Sequence, residues 1–160
     1  MDRNFEKISF EQFNKDICDD KLLYDNYELP RRGSKYSGGY DFFAVRDIVI
    51  KPGEIVKIPT GYKAKFLTDE ILMLVIRSSM GFKYNVRMCN QVGIIDSDYY
   101  GNLDNEGHMW VALQNEGDKD FIIKRGDAYC QGIFIKYLTC GDNVDCVRKS
   151  GIGSTNKESD

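Results

Sequence analysis

Apolar residues recur along this chain in two rhythms. Between residues 5 and 23, Phe10, Phe13 and Ile17 fall at helical spacing, and Ser9 with Gln12 fits a capping box. The spacing predicts a short helix over about residues 9–18, packed on the outside of the domain. After Pro30 the rhythm changes to short β-rich runs separated by Gly, Pro, Asn and Asp. They cover 40–45, 54–58, 62–66 and 71–76, then 93–95, 109–114, 121–123 and 131–137. Strands of that length and spacing predict an all-β sandwich or barrel. No internal repeat, low-complexity segment or linker divides residues 1–160, which read as a single domain with a lead-in over 1–37. The end of the chain, rich in Gly, Ser and charge, predicts a flexible C-terminal arm over 148–160.

Composition narrows the chemistry. A chain of 160 residues with 42% hydrophobic positions can bury a real core. The net charge of -3 gives no bulk attraction to nucleic acid or to acidic lipid, so an anionic ligand must be held by local groups. The longest apolar run, 71–76, is far too short to cross a bilayer, and residues 1–7 lack the apolar centre of a signal peptide. The Cys count of 5 is odd and no C-x-x-C occurs, which argues against zinc and a disulfide framework and for a reduced, cytoplasmic protein. Cys140 and Cys146 flank a turn-like segment and could pair, but the reduced state is the expectation. His108 is the only histidine, which removes most Ser-His and Cys-His schemes and any multi-histidine metal site. Acid–base work is left to carboxylates or to a bound metal ion.

The stretch from Val92 to Gly101 has Gly near its start and at its end, with two short apolar runs around a polar corner. It reads as a β-hairpin with a carboxylate at its turn and aromatic rings on its return arm. Exposed backbone there can hydrogen-bond a flat ligand, a ring can cover the ligand's face, and a carboxylate can accept a proton from water. By its residues alone it is equally an ordinary hairpin with solvated aspartates. The stretch resembles the third of five motifs of the trimeric dUTP pyrophosphatases (dUTPases), G-x-I-D-x-D-Y-x-G. Gly93, Ile95, Asp96, Asp98, Tyr99 and Gly101 fill its fixed positions.

Four further segments carry the resemblance. Gly38-Gly39-Tyr40-Asp41-Phe42 is similar to the first motif, A-G-x-D-L, and otherwise reads as a turn that Asp41 caps before a core strand. Arg77-Ser78-Ser79-Met80-Gly81 leaves the most apolar strand. Its guanidinium, hydroxyls and turn N–H groups suit an anion, although a solvated strand end fits the same residues. It matches the second motif, R-S-[SG]-x-[GA]. Gly126-Asp127 through Gln131-Gly132-Ile133 is similar to the fourth, with Ala128 in place of Arg and Cys130 in place of Ala. Arg148-Lys149-Ser150-Gly151-Ile152-Gly153-Ser154-Thr155 is similar to the fifth, with Ser150 replacing a Gly and Ile152 replacing the Phe that closes over uracil. Asn90 offers a donor and an acceptor on one amide, as the edge of uracil requires. Residues 102–107 read as an insertion. Glu106 and His108 receive no role, and Trp110 reads as a packing residue.

The resemblance implies a jelly-roll-like fold and hydrolysis of dUTP to dUMP and pyrophosphate. It places Asp96 as the base that orients and deprotonates water. Tyr99 would lie under the deoxyribose, where a 2′-hydroxyl collides with it, and the backbone of Gly93, Ile94 and Ile95 with Asn90 would hold the base. Arg77, Ser78, Ser79, Gly81 and Gln131 would hold the triphosphate, and Arg148, Gly151, Ile152, Gly153 and Ser154 would wrap it. Mg2+ would ride on the triphosphate, with Asp41 reaching it through water. The assembly implied is a homotrimer with shared sites and no nucleic-acid or membrane partner. Two rivals share the pattern. One is a dCTP deaminase of the same fold, for which Glu106 is the available glutamate. The other is a nucleotide-dependent regulatory protein with weak turnover.

Overall fold

The computed structural model describes residues 2–141. The arm from residue 148 onward and Cys146, the second half of the possible disulfide, lie outside the described residues. The chain opens with β1 (Asn4–Lys7), followed by α1 (Phe10–Asp16) and α2 (Lys21–Asn26). Then come β2 (Arg31–Arg32), β3 (Tyr40–Phe43), β4 (Ile48–Ile50), β5 (Ile55–Pro59), β6 (Tyr62–Lys65) and β7 (Glu70–Ile76). Helix α3 (Ser78–Tyr84), β8 (Val86–Met88), β9 (Gly93–Asp96) and a 3-10 turn (Ser97–Tyr99) lead to β10 (Trp110–Asn115), β11 (Phe121–Ile123) and β12 (Ala128–Lys136). Each strand expected from the apolar runs is present.

The capping box at α1 forms by half. Ser9 Oγ accepts from Gln12 N at 3.1 Å, but Gln12 turns away and donates to Asp16 Oδ2 at 2.6 Å. The Ser9 N–H that a capping box would satisfy donates instead to Glu106, 97 positions along the chain. The helix buries Phe13 fully and stacks it on Tyr27 at 5.5 Å.

All strand pairs are antiparallel, and the largest sheet runs β2-β3-β12-β7-β9. Smaller sheets pair β1 with β6, β4 with β11, and β10 with both β5 and β8. Alternation along β7 decides what the large sheet presents. Leu72 and Leu74 enter the core at 0% and 1% exposure, so their neighbours in sequence face outward. Ile71, Met73 and Val75 of β7, Ile133 and Ile135 of β12, and Ile94 of β9 stand on that outer face, half-buried or exposed and apart from the core cluster. Gly132 is obligatory where the sheet is tightest, because a Cβ there would lie 3.0 Å from both Leu72 Cδ1 and Phe42 Cε1.

Two local expectations are corrected. The stretch 92–101 is not a hairpin: β9 pairs with β7, and its expected return arm is the 3-10 turn. A Cβ at Gly93 would stand 3.1 Å from Leu74 Cβ, so glycine serves close packing on β7 rather than a hairpin end. The reversal comes before β9, where Gln91 takes a φ of 62° and its N–H bonds Met88 O at 3.1 Å. The Arg77–Gly81 segment is likewise no simple turn. It is the start of α3, held by buried Met80 and closed by Asn85 in the left-handed region at φ 54°.

Candidate functional site

The large sheet brings the expected residues together as two groups, one at the end of β7 beyond Ile76 and one along β9 on its other flank. At one end, the register sets Gln131 opposite both Asp41 and Val75. Gln131 Nε2 donates to Asp41 Oδ1 at 2.9 Å, and Arg77 Nε lies 3.6 Å from the same oxygen. Arg77 also donates to Ala128 O at 3.4 Å. Gly39 stands against Gln131, where a Cβ would come within 3.4 Å of its side chain, so the first-motif glycine makes room for the amide. Arg77 and Ser79 line a surface cavity of about 380 Å³. Ser78 is exposed at the head of α3, and Gly81 is exposed one turn on. One guanidinium, one amide and two hydroxyl residues in this arrangement suit phosphate oxygens. Beside them, burial pushes the Cys130 thiol up to about 12, so it is an inert packing group.

Along β9 a cavity of about 630 Å³ collects Asn90, Gly93, Ile94, Ile95 and Tyr99. Tyr99 is buried, and its neighbour on β9, Asp96, lies half-buried opposite Ile71. This volume, apolar walls and a few polar groups are what a nucleoside-sized ligand needs. Among the lining residues to which the sequence reading gave no site role are Asn105 and Trp110. Trp110 packs its ring 5.5 Å from His108, as a packing residue should, but it is also 37% exposed toward this cavity. Its place at the start of β10, on a strand alternating exposed and buried positions, was the available signal.

Six residues of β7 separate Asp96 from Arg77, since Asp96 faces Ile71 while Arg77 follows Ile76. At a strand rise of ~3.3 Å per residue this is roughly 20 Å. A base and the phosphorus it serves through one water stand only about 6 Å apart, far less than the backbone separation of Asp96 and Arg77 in one chain.

Behind the nucleoside-sized cavity, residues 101–108 fold back on the N-terminal segment. Glu106 accepts from Ser9 N at 3.1 Å, from Ser9 Oγ, and from Lys63 Nζ at 2.9 Å. His108 is fully buried, with Gly61 N donating to its Nε2 at 2.9 Å and Asp16 Oδ2 2.6 Å from its Nδ1. An Nε2 that accepts a backbone N–H is unprotonated, so the ring is neutral and Nδ1–H donates to Asp16. Burial likewise lowers the His108 pKa from 6.5, outweighing the pull of Asp16. The unfolded chain therefore takes up this proton before the folded one. Stability from His108 is complete above about pH 6.5 and is lost as pH falls through the depressed folded value. Melting temperature is expected to fall more steeply between pH 7 and 5 in the wild type than in His108→Gln. Parallel slopes would remove His108 from that dependence.

Among the described residues no group of three or more His, Cys, Asp or Glu side chains could cage a metal ion. Asp41, a single carboxylate beside Gln131 and Arg77, fits a hydrated Mg2+ that takes its other ligands from phosphate and water. Of the remaining expected residues, Arg148, Gly151, Ile152, Gly153 and Ser154 lie outside the described residues.

Comparison with known proteins accounts for this arrangement. A family model described as dUTPase matches residues 25–159. The deoxyuridine 5′-triphosphate nucleotidohydrolase of Lactococcus lactis subsp. lactis is 39% identical over 130 residues, covering 79% of this chain and 87% of its own length. The crystal structure of dUTPase from Streptococcus mutans superposes with a TM-score of 0.71 at 32% identity, over 87% of this chain and 99% of that one. A mutant dUTPase from phage phi11 of S. aureus shares the fold, with a TM-score of 0.66 at 17% identity over 89% of this chain and 96% of its own, and its structure describes the coordination of a structural Mg(II) ion. On these matches this chain belongs to the dUTPase family.

Proposed function

We propose that this protein hydrolyses dUTP to dUMP and pyrophosphate, limiting uracil in DNA and supplying dUMP for thymidylate synthesis. The observation that carries the reading is the cavity lined by Asn90, Gly93, Ile94, Ile95 and Tyr99, with Asp96 next to Ile95 on β9. The Asn90 amide and the backbone of β9 hold the uracil edge, and Tyr99 meets the sugar. Asp96 orients a water and takes its proton as the oxygen attacks the α-phosphorus. The Pα–O bond to the β-phosphate breaks, and pyrophosphate leaves. Such a step gains most from alignment and charge neutralisation. Mg2+, held through water by Asp41, supplies neutralisation of the phosphate charge when bound.

The site is read as shared within a homotrimer. The separation of Asp96 from Arg77 supports a site in which the phosphate-binding group of one chain serves the cavity of another. Association also covers the outer face of Ile71, Met73, Val75, Ile94, Ile133 and Ile135, which no described element of this chain covers. In this reading residues 1–160 form one domain, with the arm from residue 148 to 160 closing over a neighbour's site. The proposed setting is the cytoplasm; Cys18, Cys89 and Cys130 carry free thiols, and no helix among the described residues is long and apolar enough to cross a membrane.

The deaminase reading needs a glutamate in the cavity. Its candidate, Glu106, is committed to Ser9 and Lys63 on the side of the loop away from it. Pyrophosphate release measured across all dNTPs tests the proposal. Release from dUTP is expected to exceed that from dCTP and dTTP by about 10²-fold, because a fixed amide and backbone leave the cytosine edge unpaired and a tight pocket excludes the methyl of thymine. Ammonia from dCTP would install the deaminase, and tight dUTP binding without release would install the regulator.

A further inference from the structure

The loop 101–108 wraps the residue that meets the sugar. Tyr99 belongs to a 3-10 turn of three residues, which fixes its backbone only loosely. Its ring is held at the far end. Asn105 Nδ2 donates to Tyr99 Oη at 2.7 Å, and Tyr99 Oη donates to His108 O at 3.1 Å. Asn105 is itself held in place, because its Oδ1 accepts from Gly107 N at 3.0 Å and its carbonyl accepts from His108 N at 2.9 Å. Gly107 takes a φ of +84°, and a Cβ there would lie 2.5 Å from Tyr99 O, so the loop closes against the tyrosine backbone. Asn102 N bonds Tyr99 O at 3.2 Å from the other side. The loop is pinned in turn by Glu106 on Ser9 and Lys63 and by His108 on Gly61 and Asp16. Asn105 and Tyr99 line the same cavity.

A ring excludes a 2′-hydroxyl only while it cannot swing aside. Cutting one of two bonds at its tip returns freedom to the side chain torsions. We infer that Asn105 is a positioning residue that fixes Tyr99 and thereby sets the preference for deoxyribonucleotide over ribonucleotide. The inference rests on the dUTP reading of this cavity.

The test measures equilibrium binding of dUDP and UDP, which needs no turnover, alongside pyrophosphate release from dUTP. Asn105→Ala is expected to reduce the dUDP-over-UDP preference about tenfold. Tyr99→Phe, which loses the hydroxyl and leaves the loop's own bonds intact, should give a similar loss. The double variant should lose little more than Tyr99→Phe alone, since the tyrosine change already removes the bond that Asn105 makes. A melting temperature lowered in Asn105→Ala with the preference unchanged would assign Asn105 a purely structural role and overturn the inference. If Asn105→Ala fails to fold, Tyr99→Phe decides: a tenfold loss supports the tether and an unchanged preference overturns it. A wild type that binds dUDP and UDP equally also overturns it. Absence of pyrophosphate from dUTP, by contrast, counts against the hydrolase reading alone.

Discussion

Asp96→Asn is expected to lower kcat for dUTP hydrolysis by about 10²-fold or more while dUTP affinity stays within a few-fold of wild type. Asparagine nearly matches aspartate in size and keeps one side-chain oxygen, but it cannot take the proton of an attacking water. General-base catalysis is worth about 10²–10⁴-fold. The fold should tolerate the change, because residue 96 enters the ladder through its backbone opposite Ile71 and its side chain is only half-buried. Base and sugar contacts come from other lining residues, which is why binding should survive. Single-turnover pyrophosphate release beside equilibrium dUTP binding separates the two quantities. A kcat within a few-fold of wild type would remove Asp96 as the base.

Mixed assemblies give the second large effect. Asp96→Asn and a variant lacking residues 148–160 should each be inactive or nearly so. Co-expressed in equal amounts, they form trimers in which a site draws its carboxylate and its arm from different chains. Random mixing leaves about a quarter of the sites with both intact, so activity should return to that order. The roughly 20 Å that β7 places between Asp96 and Arg77 is the geometric support for the proposed shared site, and this experiment extends the test to the arm. Verified mixed trimers as inactive as their parents would mean that carboxylate and arm come from one chain.

Long apolar runs and ordered motifs were readable from the residues because each is a local signal. The apolar run of β7 and the cap at Ser9 are written within a few positions, and the structure keeps both. What escaped was non-local or very short. Strand β1 reads as a polar lead-in and becomes a strand only because β6 pairs with it. Helix α2 has a true cap in Asp20, which accepts from Leu23 N at 2.8 Å, but six residues give little periodicity to read. The hairpin expectation failed because the partner of β9 is β7, some twenty residues earlier, and glycine spacing cannot say which strand a glycine must approach. Helix α3 was hidden by Gly81 and by aromatic residues, which are weak helix formers. At the site, the residues with family motifs were found. Asn105, with no motif, emerged only when the loop was seen to fold back on Tyr99.

The divided cap of α1 has a consequence for how the chain acquires its shape. A helix of seven residues is too short to hold itself in water, and the group that satisfies its leading N–H is Glu106, 97 positions away. The first helix made on the ribosome is therefore among the segments that must wait. It can become permanent only after the chain has been made through residue 108 and the loop has returned to meet it, at the long closure distance that slows folding.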